Sequence, residues 1–248
     1  MGNDGMPRRR HPEEGGYARG EETRARIVAA ALEIFGEYGY DQASTRQIAA
    51  SAGVNPPALQ YYFGGKEGLH RACAQDIIDR MSVALDPALA QAQEAVRGGE
   101  SGAAIEALCG LLEAMIDALV VTRSESWSRF IARGKVDGAG PAMGMIHEHV
   151  GLRLRDAATR LVARATGCPV RDEMTRLRAI AILGQVITFY GNREHCQAAM
   201  GWKEFDARKL ALIKTVVREN TRAALGGTVP PCAGRPAAVP RPKARFSR

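Results

Sequence analysis

Two short helices separated by a glycine turn are written into residues 44–63, and no other stretch so narrows what this chain can fold into. The segment reads Ser-Thr-Arg-Gln-Ile-Ala-Ala-Ser-Ala-Gly-Val-Asn-Pro-Pro-Ala-Leu-Gln-Tyr-Tyr-Phe. Ser44 is predicted to cap the first helix, with Gln47 three residues on as its capping-box partner. Ile48, Ala49 and Ala52 then share one helical face. Gly53 supplies the residue that takes positive φ after a helix. Val54 is an apolar plug for the corner. Asn55 is placed to cap the second helix, and Pro56 at its first position costs nothing, because that N–H has no intrahelical partner. A tight helix–turn–helix of this kind can set its second helix in the DNA major groove.

The rest of the chain carries helical spacing and no strand pattern, so the expected fold class is all-α. A helix is predicted near 22–38, with Ile27, Ala31, Phe35 and Tyr38 as one apolar stripe and Gly39 as its end. A longer helix from Lys66 runs toward Asp86-Pro87, where the proline is expected to end or kink it. Gly98-Gly99 marks a break. Ser101 is expected to cap the next helix, whose Ile105, Leu108, Leu112, Met115, Ile116 and Leu119 make a wide apolar face.

A helix around 125–136 carries Trp127, Phe130 and Ile131. After an interruption at 138–141, another runs to about Ala165, and Gly167-Cys168-Pro169 forms a turn. From Glu173 to about Arg193 a helix holds residues 179–190, which are apolar nearly all round and so should be buried on more than one face. The last helix, near 205–225, is expected to direct Leu212, Ile213, Val216, Val217, Ala224 and Leu225 toward a partner.

The ordered set Ile48-Ala49, Ala52-Gly53-Val54, Leu59, Tyr61-Tyr62-Phe63 and Lys66-Glu67 resembles the DNA-binding domain of TetR-family transcriptional regulators, over about Glu22 to Leu69. Leu183-Gly184-Gln185-Val186, Phe189, Trp202 and the closing amphipathic helix are similar to the C-terminal domain of the CecR (YbiH) group of that family. The resemblance implies an N-terminal three-helix DNA-binding domain and a C-terminal helical domain for ligand binding and dimerisation. It divides the chain into an arm at 1–20, a helix-turn-helix domain at 21–81, an effector and dimerisation domain at 82–226, and a basic proline-rich tail at 227–248. The arm and the tail are expected to be disordered. The family's members are generally homodimers built on their last two helices. The sequence agrees independently, since an all-round apolar helix needs a second surface to cover it.

Bulk charge does not carry the DNA argument. The formal net charge is +7, but five of the cations, Arg235, Arg241, Lys243, Arg245 and Arg248, lie in the tail, where there is no acid. Residues 21–69 hold Arg24, Arg26, Arg46 and Lys66 against Glu21, Glu22, Glu33, Glu37, Asp41 and Glu67. The DNA role rests on the motif and on where charges sit within it. Arg8-Arg9-Arg10 and the tail arginines are suited to nonspecific phosphate attraction, to reaching a minor groove, or equally to plain solvated disorder.

On the second helix of the motif, Asn55, Pro56, Pro57, Ala58, Gln60 and Tyr61 face away from Leu59, Tyr62 and Phe63. Gln60 has the carboxamide that pairs with adenine, and Ala58 the methyl that meets thymine. Tyr61 offers a hydroxyl to a phosphate, while Tyr62 is expected to pack on the first helix. The resemblance adds Thr45, Arg46 and Lys66 as phosphate contacts. The chain departs from the family where Gln60 replaces the more usual tyrosine and Pro56-Pro57 replaces a common Lys/Arg-Gly pair.

Other chemistries find little support. Gly-x-Ser-x-Gly, a phosphate loop and His-Glu-x-x-His are all missing, so no enzyme activity and no cofactor is expected. His147 and His149 are two apart, which on a helix turns them away from a shared metal. Cys73, Cys109, Cys168, Cys196 and Cys232 are widely spaced and expected to be reduced thiols. No run of eighteen apolar residues and no signal-peptide stretch is present, so the cytoplasm is the expected location and no membrane partner is expected.

The resemblance also implies an effector pocket, for which Trp127, Phe130, Met143, Met145, His147, Gln185 and Phe189 are candidates. The expected function is a homodimeric repressor that binds double-stranded operator DNA and is released by a small molecule. Two rivals are a DNA-binding protein of the same fold that organises the chromosome, and a helical carrier or enzyme with a vestigial DNA domain.

Overall fold

The computed structural model describes residues 14–121, 125–137 and 141–227, and every regular element among them is helical. Eleven helices follow in order: α1 (Glu14–Gln42), α2 (Thr45–Ser51), α3 (Pro56–Phe63), α4 (Lys66–Gly98), α5 (Ser101–Ile116), α6 (Glu125–Asp137), α7 (Pro141–Ile146), α8 (Leu152–Thr166), α9 (Glu173–Gly191), α10 (Arg193–Met200) and α11 (Ala207–Gly226). A π-helical turn, Asp117–Val121, closes α5, and a second, His147–Gly151, opens α8. No helix among the described residues is long and apolar enough to cross a membrane.

The chain forms two compact units. The first takes in residues up to Asp76 together with Glu125–Met145, and the second takes in Ile77–Ser124 and everything from Ile146 on. Helix α4 runs through both. The first unit is built on α1, whose Ile27, Ala31 and Phe35 are fully buried. Ile48 and Ala49 of α2, Leu59 of α3 and Leu69 of α4 complete the motif's core, and α6 adds Trp127, Phe130 and Ile131. Helices α1 and α6 pack closely. A Cβ on Gly36 would lie 3.0 Å from the Arg129 Cβ and 3.1 Å from the Phe130 amide nitrogen, tighter than ordinary packing.

In the second unit, Leu108, Leu111, Leu112 and Ile116 of α5 are buried, as are Leu161 and Val162 of α8, Ala179 and Val186 of α9, and Ile213 and Val217 of α11. Each buried Leu, Ile or Val among them contributes about 1.5–3 kcal/mol by leaving water. Ion pairs tie α11 to α5: Arg218 reaches Glu106 and Glu113, each at 2.7 Å, and Arg222 reaches Glu106 at 2.8 Å. Asp172 and Asp206 cap α9 and α11 by accepting from the Thr175 and Lys209 amides, each at 2.9 Å.

Several expectations are corrected. Helix α1 begins at Glu14, so residues 14–20, assigned to a disordered arm, are helical. Its expected end at Gly39 is a break with φ 79°, after which the chain makes one more turn to Gln42. Tyr38 is 37% exposed and leaves the buried stripe. Pro87 does not end α4, which continues to Gly98. The carbonyl that loses its helical N–H partner belongs to Val83, a residue that is 80% exposed, on the solvent side of the helix. Ser101 is not a cap; its hydroxyl donates to the Ala165 carbonyl at 2.6 Å and pins α5 to the end of α8.

On α11 the expected partner-facing set splits: Ile213, Val217 and Leu225 are buried within the unit, while Leu212 and Val216 are half exposed. Residues 125–145, placed by the sequence in the second region, belong to the first unit. Cys73, Cys109 and Cys196 are free thiols as expected, but Cys168 is disulfide-bonded. Arg8-Arg9-Arg10 and the tail beyond Gly227 lie outside the described residues.

Candidate nucleic-acid interface

The turn between α2 and α3 is set by local hydrogen bonds. The Ser44 hydroxyl accepts from the Gln47 amide at 3.2 Å, and the Ser44 amide donates to the Gln47 side chain at 3.0 Å. This reciprocal box satisfies two N–H groups that a helix start leaves unpaired. At the other end the Val54 amide donates to the Ala49 carbonyl at 3.0 Å, with Gly53 at φ 63° making the corner. Arg26 reaches across from α1 and donates through Nε to the Ala52 carbonyl at 3.1 Å. The sequence showed Arg26 only as one cation among four; its use is to close α2.

Helix α3 leaves the turn with its reading side in water. Asn55, Pro56, Pro57, Gln60 and Tyr61 are exposed, Tyr61 to 83%, and Ala58 is half-buried. Leu59 is buried at 1%, and Tyr62 and Phe63 are half-buried. The Tyr62 hydroxyl sits 4.0 Å from where a Gly20 side chain would begin, which puts Tyr62 on α1 as expected. The Arg24 guanidinium lies 5.5 Å from the centre of the Phe63 ring. Asn55 precedes α3 in extended geometry but makes no side-chain capping bond, so its expected capping role is not used. Its carboxamide is left for other partners.

The exit from α3 needs glycine. Gly64 has φ 68°, and a side chain on Gly68 would fall 1.8 Å from the Phe63 carbonyl oxygen. The close passage brings α4 in beside the end of α3. There the Lys66 ammonium donates to the Asp41 carbonyl at 3.1 Å and lies 4.8 Å from the centre of the Tyr40 ring. Lys66 thus joins the start of α4 to the end of α1. Of the phosphate candidates at the start of α2, Arg46 is exposed and Thr45 half-buried.

Behind this surface lies a buried histidine that sequence reasoning did not single out. His70 is 4% exposed and sits among Phe35, Tyr40 and Phe130, with ring centres 4.8, 4.6 and 5.0 Å away. Burial, helped by the nearby Lys66 charge, lowers its pKa to about 4, so the ring is neutral near pH 7. The only hint in the sequence was one histidine inside the apolar spacing Leu69, Cys73, Ile77.

The seven effector-pocket candidates are divided between the two units. Trp127 and Phe130 are buried on α6, and Met143 and Met145 are half-buried on α7, all in the first unit. His147 is exposed in the π turn of the second unit, where Gln185 and Phe189 are half-buried on α9. Gln185 donates to the Thr221 hydroxyl at 3.5 Å, and its carbonyl oxygen is buried without a hydrogen bond. None of the seven lines the shallow cleft formed by Leu85, Leu89, Val150 and Leu154. Among the described residues no group of three or more His, Cys, Asp or Glu comes together as a metal-ligand set.

Comparison with known proteins agrees with this geometry. Residues 27–73 match the family described as bacterial regulatory proteins, tetR family. Residues 104–228 match the C-terminal domain of the HTH-type transcriptional dual regulator CecR. The chain is 36% identical over 201 residues to the HTH-type transcriptional dual regulator CecR of Shigella flexneri, covering 80% of this chain and 89% of that protein. In fold it is similar to a TetR-like transcriptional regulator from Rhodococcus sp. RHA1, with a TM-score of 0.58 and 23% identity over 88% of this chain and all of that one. It is also similar to AibR, solved in complex with isovaleryl coenzyme A and operator DNA, with a TM-score of 0.53 and 18% identity over 80% of this chain and 97% of that one.

Proposed function

Because this chain belongs to the TetR family of DNA-binding transcriptional regulators, in the group with a CecR-type C-terminal domain, we propose that it acts as a homodimeric repressor released from operator DNA by a small molecule. The observation that carries the DNA half of this reading is the exposed side of α3, held out by a capped turn on one face and by buried Leu59 on the other. In it, the first unit, α6 included, reads DNA, and the second serves the partner and the effector. Gln60, Asn55, Pro56 and Ala58 face base edges. Thr45, Arg46, Tyr61 and Lys66 hold phosphates, and Lys66 exchanges its Asp41 carbonyl for one on binding.

The dimer half is supported by the outward sides of α9 and α11. Leu177, Ile180, Ile187, Leu212 and Val216 are each about half exposed, an arrangement that a second copy would cover. The effector half is supported by the unpaired Gln185 oxygen, which a ligand hydroxyl or N–H would satisfy. An effector that binds one arrangement of the dimer better than another shifts the population away from the DNA-bound one. The protein works where its promoter is, in the cytoplasm.

The test is footprinting of the full-length protein across its genome, followed by reporter transcription from the bound promoters with and without the protein. A few discrete sites with reduced transcription support the reading. Even coverage of the chromosome would favour an organising role, and no DNA binding at all would favour a carrier. Activation at the bound promoters would overturn the repressor assignment and leave the DNA assignment standing.

A further inference from the structure

The recognition helix carries no charged side chain. Among Pro56-Pro57-Ala58-Leu59-Gln60-Tyr61-Tyr62-Phe63 there is no Lys, Arg, Asp or Glu. In the major groove guanine is read chiefly by Arg or Lys against O6 and N7, and cytosine by Asp or Glu against N4. The nearby basic residues of α1 are engaged elsewhere: Arg26 on the Ala52 carbonyl and Arg24 over Phe63. Apart from Tyr61, assigned above to a phosphate, α3 and its cap expose two carboxamides, Asn55 and Gln60, and an apolar step of Pro56 and Pro57 that the half-buried Ala58 continues. A carboxamide offers one donor and one acceptor in line, which matches adenine N6 and N7. The prolines have no N–H, so a base acceptor buried against them loses its water and gains no partner. A thymine methyl loses nothing there and gains apolar contact.

We infer that the half-site under α3 is a short run of A·T pairs, recognised through adenine by Gln60 and Asn55 and through thymine methyl groups by Pro56, Pro57 and Ala58. This rests on the DNA-binding reading above and names the class of sequence it takes. The run is about three to four pairs long, because an eight-residue helix extends about 12 Å and base pairs stack every 3.4 Å. Pairs flanking that run face α2, where Arg46 is exposed, and they carry no such restriction.

The experiment is an in vitro selection with the full-length protein from duplexes with a randomised centre. It is followed by affinity measurements on the enriched duplex with deoxyuridine in place of thymidine, which removes only the C5 methyl. The expected result is a symmetric site with three or four consecutive A·T pairs in each half. Uracil inside those runs should weaken binding by roughly tenfold, and uracil outside them should not. Gln60→Ala should flatten the preference at one A·T position. G·C pairs within the selected runs, or equal affinity for the uracil and thymine duplexes, would overturn the inference while leaving the regulator reading intact. Selection that enriches no sequence would overturn the regulator reading itself.

Discussion

The imidazole of His70 meets the ring of Phe35 edge to face, with centres 4.8 Å apart and planes at 76°. The contact joins α4 to α1, and Phe130 closes on the same histidine from α6 at 5.0 Å. All three helices of the first unit that enclose the motif therefore meet at one ring that must stay neutral to stay buried.

That requirement sets a pH dependence. The folded pKa of His70 is about 4, below the usual 6.5, so the unfolded chain binds the proton first as pH falls. Stability from this group is complete above about pH 6.5 and is lost on the way down to about pH 4, by at most about 1.4 kcal/mol per pH unit. Denaturant midpoints measured from pH 8 to pH 4 should fall faster for the wild type than for His70→Phe. Parallel profiles would show that the histidine is not the group being titrated.

The proposed dimer seam separates half-exposed residues of α9 and α11 from a buried neighbour on α11. Ile180→Glu and Leu212→Glu alter half-exposed side chains, so the protein should keep its helical circular dichroism and sediment as monomers at micromolar concentration. Val217→Asp alters a side chain that is 1% exposed and should unfold the second unit, because a buried unpaired carboxylate is costly. A dimer that survives both glutamates would place the seam elsewhere.

The phosphate contact proposed for Lys66 can be separated from its bond to the Asp41 carbonyl. Lys66→Ala should lower the slope of log affinity against log salt by about one, the signature of a lost phosphate contact, on operator and random duplexes alike. It should also cost folding stability up to about 1–1.5 kcal/mol from the lost bond to the Asp41 carbonyl. An unchanged salt slope with reduced stability would make Lys66 a brace between α1 and α4 and nothing more.

Removing residues 227–248 takes away five cations and no acid. Affinity for random duplexes should drop at low salt and the difference should vanish above physiological salt, where the Debye length is about 8 Å or less. Operator preference should be unaffected. A truncated protein that no longer distinguishes operator from random DNA would put sequence reading in the tail.

Local chemistry was legible from the sequence wherever a few adjacent residues decided the outcome. Ser44 with Gln47, and Gly53 in its turn, depend on hydrogen bonds spanning three residues. Asn55 misled because residue preference names what a position favours, whereas the observed side chain makes no capping bond. Pro87 misled because its cost depends on whether the Val83 carbonyl can find water. Val216 and Val217 are equivalent as letters, and only the docking of α11 on α5 through Arg218 and Arg222 settles which faces inward. The exposed side of α3 could be read from its spacing, but the Lys66–Asp41 bond and the histidine behind it join elements 25 or more residues apart.

The excursion of α6 into the first unit means that the DNA-reading part of this protein is not a detachable cassette. A gene fragment ending near Asp76 would encode α1 through the first turns of α4 and omit Trp127, Phe130 and Ile131, leaving the faces of Phe35 and His70 in water. A chimaera meant to transplant the operator preference onto another regulator must therefore carry two stretches of coding sequence. Recombination that swaps only the first would inherit the reading helix without the packing that holds it.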